Sequence, residues 1–205
     1  MNYMFAHMHV VMMDTGQHLA LVAVALAISI ALALPLGVLA ARHPTISAPL
    51  LAALGVLYTI PSLAILALLV AYVGLGAGPA LVTMVAYAQF VLVRNVAAAL
   101  HGVPVAQSDA AMGLGMSDAQ RLMRVELPSA FPVILGGVRI AAVALIAIAS
   151  LAGYVNGGGL GTMIFDGLQR DYLEEILAGS IPIALLAIAV DTGFRLIERR
   201  ASRWR

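Results

Sequence analysis

The sequence predicts an all-α fold, a polytopic membrane protein with about five transmembrane helices. Two observations carry that prediction. Hydrophobic residues make up 62% of the 205-residue chain and charged residues only 10%, with a mean hydropathy of +1.02. A soluble domain is about 45–50% apolar and about 25% charged. Uncharged runs long enough to cross a bilayer, about 20 residues each, then recur between short polar stretches.

The first run, 19–41, ends at Arg42 and contains Pro35 and Gly37, which are expected to interrupt it. No positive region precedes it, and it is too long for the apolar part of a cleaved signal, so it reads as a retained helix. Residues 1–18 read as an extracytoplasmic segment. The second span covers about 50–73 with Pro61 inside it, and the tight turn GLGAGP (74–79) leads into the third, about 80–100, with Arg94 and Asn95 near its end. A polar stretch follows, about 101–131. The fourth span is about 132–154 and carries Arg139. After it come NGGGLG (156–161) and a short acidic loop, then a fifth span, about 176–197, with Pro182 and Asp191, and a basic tail, 199–205.

Arginine placement orients these spans. All 11 cations are arginine, and in a five-span arrangement only Arg170 falls on the side away from the rest. Positive charge marks the cytoplasmic side, which puts the polar stretch and the C-terminus inside and the N-terminus outside. A charge within a span is costly unless paired. Asp191 is expected to pair with Arg139, or with Arg195 one helical turn away; the alternative is that these charges only anchor the interface.

The polar stretch has its own pattern, SDAAMGLGMSDAQRLMRVELP (108–128). Pro104 suits a first helical turn, and 105–112 has helical composition. Gly113-Leu114-Gly115 breaks that helix. Ser117 and Gln120 form a capping box that opens a second helix, expected to stop before Pro128 because the residue ahead of proline avoids the α region. Ala110, Ala111 and Ala119 offer small surfaces, and Leu114, Met116, Leu122, Met123 and Val125 apolar ones. Two short helices of this kind read as a docking surface, or as a loop folded back on its own spans.

The spacing from Asp109 to Pro128 resembles the loop signature of permease subunits of binding-protein-dependent ABC importers. That signature is Glu-Ala-Ala, three residues, Gly, nine residues, Ile-x-Leu-Pro. Here it reads Asp109-Ala110-Ala111, Gly115 and Val125-Glu126-Leu127-Pro128. YTIPSLAILALL (58–69), VRN (93–95), GYVNGGGLGTMIFDGL (153–168) and AGSIPIALLAIAVD (178–191) are similar to the osmoprotectant branch of that family. The branch usually shows Gly-Ala-Gly-Gly-Leu-Gly where this chain has Asn156-Gly157-Gly158-Gly159-Leu160-Gly161. The likeness covers 19–198, the expected transmembrane domain.

The resemblance implies the permease fold of type I importers in the bacterial inner membrane, and import of glycine betaine, choline or carnitine brought by an extracytoplasmic substrate-binding protein. It implies an ATPase pair that docks on Asp109, Ala110, Ala111, Gly115, Val125, Leu127 and Pro128, with ATP and Mg on that partner and no cofactor on this chain. A second permease copy or a paralogue completes the assembly. Asp109 either meets an arginine of the ATPase or caps a helix end. Aromatic rings hold quaternary ammonium groups by cation–π contact, so Tyr58, Tyr87, Phe90 and Tyr154, with Pro61 as a kink, are candidates for the translocation path. The bland alternative for these aromatics is packing and interfacial belts.

Other functions find little support. Without cysteine there is no disulfide framework, thiolate metal site or Cys nucleophile. A net charge of +1 gives no basis for nucleic-acid binding. GGGLG lacks the Lys-Ser/Thr of a phosphate loop and reads as a turn or a receptor-contact loop. His7 and His9 with nearby methionines have no standard metal spacing. An intramembrane enzyme would need a nucleophile and a base at depth, and no such pair is present. A methionine importer permease remains the same-class alternative. A non-transporting membrane scaffold would explain the spans but not the loop spacing.

Overall fold

The computed structural model describes residues 2–201, and positions 202–205 of the basic tail lie outside the described residues. The described chain is helical: α1 (Asn2–Ala6), α2 (Met8–Arg42), α3 (Pro44–Thr59), α4 (Ser62–Val73), α5 (Ala77–His101), α6 (Val105–Gly113), α7 (Asp118–Arg121), a π-turn (Leu122–Glu126), α8 (Leu127–Ala149), a 3₁₀ stretch (Ser150–Val155), α9 (Gly161–Gln169) and α10 (Leu173–Ala201). Four helices are long and apolar enough to cross a membrane, and the number rises to five if the bent pair α3–α4 is one span.

α2 is a single helix of 35 residues. At 1.5 Å per residue it is about 52 Å long, well beyond the ~30 Å apolar core of a bilayer. Most of the stretch 1–18 is therefore the first turns of α2 rather than a separate segment. Nor does Pro35 interrupt the helix. Membrane helices tolerate proline where neighbouring helices support the freed backbone, and α2 lies along α5. Gly37 serves that contact: a Cβ there would sit 2.5 Å from the Cβ of Val96.

The core is the seam between α2, α5 and α8. Val22, Ala25 and Ala33 meet Met84, Ala88, Leu92 and Val96, which in turn meet Ala141, Leu145 and Ile146. Small residues dominate the α2 side, because in lipid helices associate by close van der Waals packing rather than by hydrophobic exclusion. α10 packs on α8 and α9.

Three expectations change. The second span is not one helix with a kink: α3 and α4 meet at 90° across Ile60 and Pro61. Proline at 61 removes an N–H and pushes Ile60 out of the helical region, to φ −69°, ψ 132°. The helix entering Pro128 does not stop there either; Asp118 to Val155 is continuous. Finally, the acidic loop after the glycines contains a helix, α9.

The bundle has two distinct ends. One carries Arg42, His101, the α6–α7 hairpin, Arg195 and Glu198. The other carries α1, the turn at Gly74–Gly76 and the loop 156–160, where the Gly76 N–H donates to the Val155 carbonyl at 2.7 Å.

Gly37→Leu is expected to force α2 off α5. Overpacking of this sort costs about 1–3 kcal/mol, so the folded fraction surviving heating in detergent should drop. Gly16→Ala is the matched control, since nothing lies within 4 Å of its Cβ, and it should leave that fraction unchanged or raised.

Candidate functional site

The hairpin at the arginine-rich end is built by local backbone chemistry. α6 closes with the Met116 N–H on the Ala111 carbonyl at 3.1 Å and the Gly115 N–H on the Met112 carbonyl at 2.9 Å. These bonds form a Schellman motif. It needs a left-handed residue, and Gly115 supplies φ +75°. Ser117 then caps α7: its Oγ accepts from the Gln120 N–H at 3.3 Å, and Gln120 Oε1 accepts from the Ser117 N–H at 3.0 Å.

Past Arg121 the helix widens into a π-turn, in which the Leu127 N–H reaches back to the Leu122 carbonyl. An ordinary α-turn would press the Pro128 ring onto the carbonyl of Arg124 and leave that carbonyl unbonded. One wider turn moves the ring away from that carbonyl, and π-turns of this kind recur at functional sites.

Glu126, at the end of the π-turn, ties three elements together. Arg42 Nη2, in the last turn of α2, lies 2.7 Å from its Oε2. Arg121 Nε donates to Oε1 at 2.9 Å, and Ser108 Oγ of α6 donates to the same oxygen at 3.3 Å. Arg121 also bridges to Asp118 at 3.0 Å. Nearby, Ser129 Oγ donates to Gln107 Oε1 at 2.9 Å, and His101 Nε2 lies 3.2 Å from the Ala41 carbonyl. The Arg42 and Glu126 side chains are 26% and 14% exposed. Their pairing falls between exposed pairs, worth about 0.2–1 kcal/mol, and buried ones, whose disruption costs about 3–5 kcal/mol.

The expected docking residues divide by orientation. Asp109, Ala110, Gly115 and Pro128 face out. Ala111 is only 3% exposed and faces inward, so it packs the hairpin rather than presenting a surface. Val125 and Leu127 are half-buried, and Leu127 packs against the bundle core. Asp109 lies in the middle of α6, not at one of its ends. Met123, 65% exposed, lines a cavity against α2 with Leu34, Pro35 and Arg42. On the same α6 face as Asp109, Val105 and Met112 stand 72% and 50% exposed, and Leu114 at its end 78%. This apolar patch sits on a scaffold held by ion pairs.

The aromatic candidates split into two places. Tyr58 of α3 stacks near Phe90 and Tyr87 of α5, with centroids 5.1 Å and 5.6 Å away. The Tyr87 hydroxyl donates to the Ile60 carbonyl, at the break beside Pro61. Arg94 lies over Phe90 at 5.9 Å. A narrow crevice runs from Tyr58 and Tyr87 to Ala141, Leu145 and Ile148 of α8. Tyr154 is elsewhere, against Phe165 of α9 at 5.3 Å, and does not join this group.

Arg139 and Asp191 do meet. Arg139 Nη1 is 3.1 Å from Asp191 Oδ1, and its Nε is 3.0 Å from Glu198 Oε1. Arg195 takes the other Asp191 oxygen at 2.8 Å. Both pairings open to Asp191 thus occur together, and they lock α8 to α10.

The geometry is a bundle with a broken span and a rigid, partly apolar hairpin at one end. Residues 33–203 match the family described as the binding-protein-dependent transport system inner membrane component. The chain belongs to that family. As a member it is a multi-pass inner-membrane protein and a transport component, the permease of an ABC importer. It is 37% identical over 192 residues to the carnitine transport permease protein OpuCB of Listeria monocytogenes, covering 94% of this chain and 88% of that protein. It is 37% identical over 195 residues to the osmoprotectant import permease protein OsmW of Salmonella typhimurium, covering 93% and 91%. An inward-facing structure of the MetNI methionine ABC transporter superposes with a TM-score of 0.83 over 95% of this chain and 97% of that one, at 22% identity. At that identity the likeness speaks for the fold alone.

Sequence reasoning missed the hub at Glu126. Arg42 is visible in the sequence at a span end, and Ser108 and Glu126 as polar residues of the stretch 101–131. Their separations of 84 and 18 residues carry no periodic signal.

Gly115 gives a sharp test of the hairpin. A residue with a Cβ in the left-handed region costs about 1–2 kcal/mol, while asparagine tolerates it. Gly115→Val should loosen the hairpin and Gly115→Asn should not, read by hydrogen exchange at the Met116 amide.

Proposed function

We propose that this permease is the membrane-spanning subunit of an importer for osmoprotectants such as glycine betaine, choline or carnitine, delivered by a separate substrate-binding protein and driven by a partner ATPase pair. The observation that carries this reading is identity of 37% with a carnitine permease and an osmoprotectant permease, extending over nearly the whole chain. The methionine alternative rests on likeness of fold only.

In this reading the hairpin and C-terminus are cytoplasmic and the N-terminus is outside, as the positive-inside rule suggests for an end that gathers Arg42, Arg121, Arg124, Arg195, Arg199 and Arg200. Met112 and Leu114, with Asp109 and Ala110, meet a cleft of the ATPase. Exposed methionines adapt well to a partner surface. ATP and Mg belong to that partner. Two permease chains, identical or paralogous, would bring two hairpins to an ATPase pair. Because the π-turn makes the hairpin continuous with α8, displacement of the hairpin tilts a spanning helix directly.

The path lies at the broken span. Lipid-facing helices need every backbone group bonded internally, so a break at membrane depth is tolerated only where protein or a cavity supports it. Tyr58 beside this break offers an aromatic face to a quaternary ammonium group, an attraction of about 0.5–2 kcal/mol, while Phe90 already carries Arg94 over its ring. Tyr87 has its hydroxyl committed to the Ile60 carbonyl and serves mainly to hold the break.

Coexpressed with its ATPase and binding protein, the chain should copurify with the ATPase and support uptake of radiolabelled glycine betaine into proteoliposomes. Met112→Asp with Leu114→Asp should abolish copurification while the permease still inserts. Retained copurification and uptake in that variant would overturn the docking surface. Tyr58→Ala should lower glycine betaine uptake but spare copurification, which separates path from docking.

A further inference from the structure

The hairpin is joined to the spans in two different ways. To α8 the joint is covalent and stiff, one helix passing through the π-turn. To α2 the connection at this end runs through side chains, chiefly the pair between Arg42 and Glu126, 2.7 Å apart. A second strut, His101 to the Ala41 carbonyl at 3.2 Å, joins α2 to α5 and leaves the hairpin out.

We infer that Glu126 is a positioning residue for transport, the link that makes α2 follow the hairpin when the hairpin moves. The inference rests on the hairpin being the ATPase-docking element, as proposed above. Four features of the site support it.

Both carboxylate oxygens are used, and by different elements. Oε2 faces Arg42 of α2; Oε1 accepts from Arg121 of α7 and Ser108 of α6. A carboxylate holding one span on one oxygen and both arms of the hairpin on the other transmits displacement between them. Charge-assisted bonds are the strong class for such a link.

The position is set by the backbone. Glu126 is the last residue of the π-turn. Removing the extra residue of that turn would rotate everything N-terminal to it by about 100°, one residue's share of a 3.6-residue turn. Glu126 itself is aimed at α2 by the start of α8, and the turn that relieves Pro128 sets how Arg121 and the hairpin are rotated onto it.

Geometry separates this link from docking. Glu126 is half-buried, whereas the exposed apolar patch lies on Val105, Met112 and Leu114 of the hairpin. A residue that does not belong to the patch can be changed without changing what the patch offers.

α2 also reaches the far end of the bundle. There Gln17 Oε1 accepts from the Gly159 N–H at 3.1 Å, and His18 Nε2 lies 3.0 Å from the Ile146 carbonyl. A tilt passed to α2 at Arg42 is felt at the loop 156–160, on the other side of the membrane. The Glu126–Arg42 pair therefore connects events at the hairpin with the opposite mouth.

The experiment uses the full chain with its ATPase and binding protein in proteoliposomes. It reads three quantities: ATPase copurification, ATP hydrolysis and glycine betaine uptake per ATP hydrolysed. Glu126→Gln and Arg42→Gln should each keep copurification and hydrolysis, while uptake per ATP falls about tenfold, the factor that a loss of about 1.4 kcal/mol produces. The double variant should be no worse than Glu126→Gln alone, because that change already removes the link to Arg42. Glu126→Asp should retain part of the coupling.

The chain has no cysteine, so Arg42→Cys with Glu126→Cys makes a unique thiol pair. Joining the two with a short bifunctional thiol reagent should restore uptake per ATP, and leaving them unjoined should not. This second variant decides the matter if Glu126→Gln fails to accumulate. Wild-type uptake per ATP in Glu126→Gln, loss of the ATPase together with uptake, additive losses in the double variant, or a joined thiol pair that stays uncoupled would each overturn the inference. Failure of the unsubstituted chain to retain any ATPase would instead overturn the functional reading beneath it, and this proposal with it.

Discussion

One wide helical turn organises the polar end of this protein. Leu122–Glu126 is a π-turn because Pro128 can neither donate its own backbone bond nor fit against the carbonyl one α-turn back. Had the helix ended there, the hairpin would hang on a loop, and a loop absorbs displacement instead of transmitting it. With the π-turn, the capping box at Ser117 begins a helical rod that continues into the bilayer as far as Val155. The extra residue also sets the rotation of the hairpin end of the rod, which brings Arg121 onto Glu126 while α8 holds Glu126 against Arg42. Local steric relief and long-range linkage thus have the same origin.

The bilayer imposes a second constraint, since no water is present to satisfy free backbone groups. Two departures from helix have a specific partner standing ready. At the α3–α4 break the Tyr87 hydroxyl takes the Ile60 carbonyl. Where α8 tightens into a 3₁₀ stretch, the Ser150 N–H turns to Ala147, and the Ile146 carbonyl receives His18 Nε2 instead. That nitrogen must carry the proton, since a carbonyl only accepts. Tyr87 and His18 therefore act as backbone partners.

The N-terminal residues belong to the architecture of the far end. The Tyr3 hydroxyl donates to Glu175 Oε1 at 2.9 Å, and its ring stacks on His7 at 4.1 Å and meets Tyr172 edge-on at 5.3 Å. Burial, with the neighbouring Glu175 carboxylate, raises the Tyr3 pKa above its ordinary value, so it remains a neutral donor at any physiological pH. These contacts fasten α1 to α10 over α9. They make the far end a fitted surface rather than a set of loose loops, and the left-handed turn at Asn156, φ 56°, belongs to it. Asparagine is the side chain that enters that region most readily after glycine, which is why it can stand where the branch usually has glycine.

The sequence by itself determined the helical class, the apolar runs, the capping box at Ser117–Gln120 and the glycine turn at Gly115. Each of these is a local matter of hydropathy, side-chain-to-backbone bonding or backbone sterics over a few residues. It also displayed the loop spacing by which the family is recognised. Only the tertiary structure decided that Pro61 breaks its span by 90° while Pro35, Pro128 and Pro182 stay within continuous helix. The reason is physical: a proline removes the same hydrogen bond everywhere, and whether the helix survives depends on what packs beside it. The same holds for the inward turn of Ala111, the separation of Tyr154 from the other aromatics, and the meeting of Arg42 with Glu126 across 84 residues. These are relations between faces of different helices, and they exist only once the helices have packed.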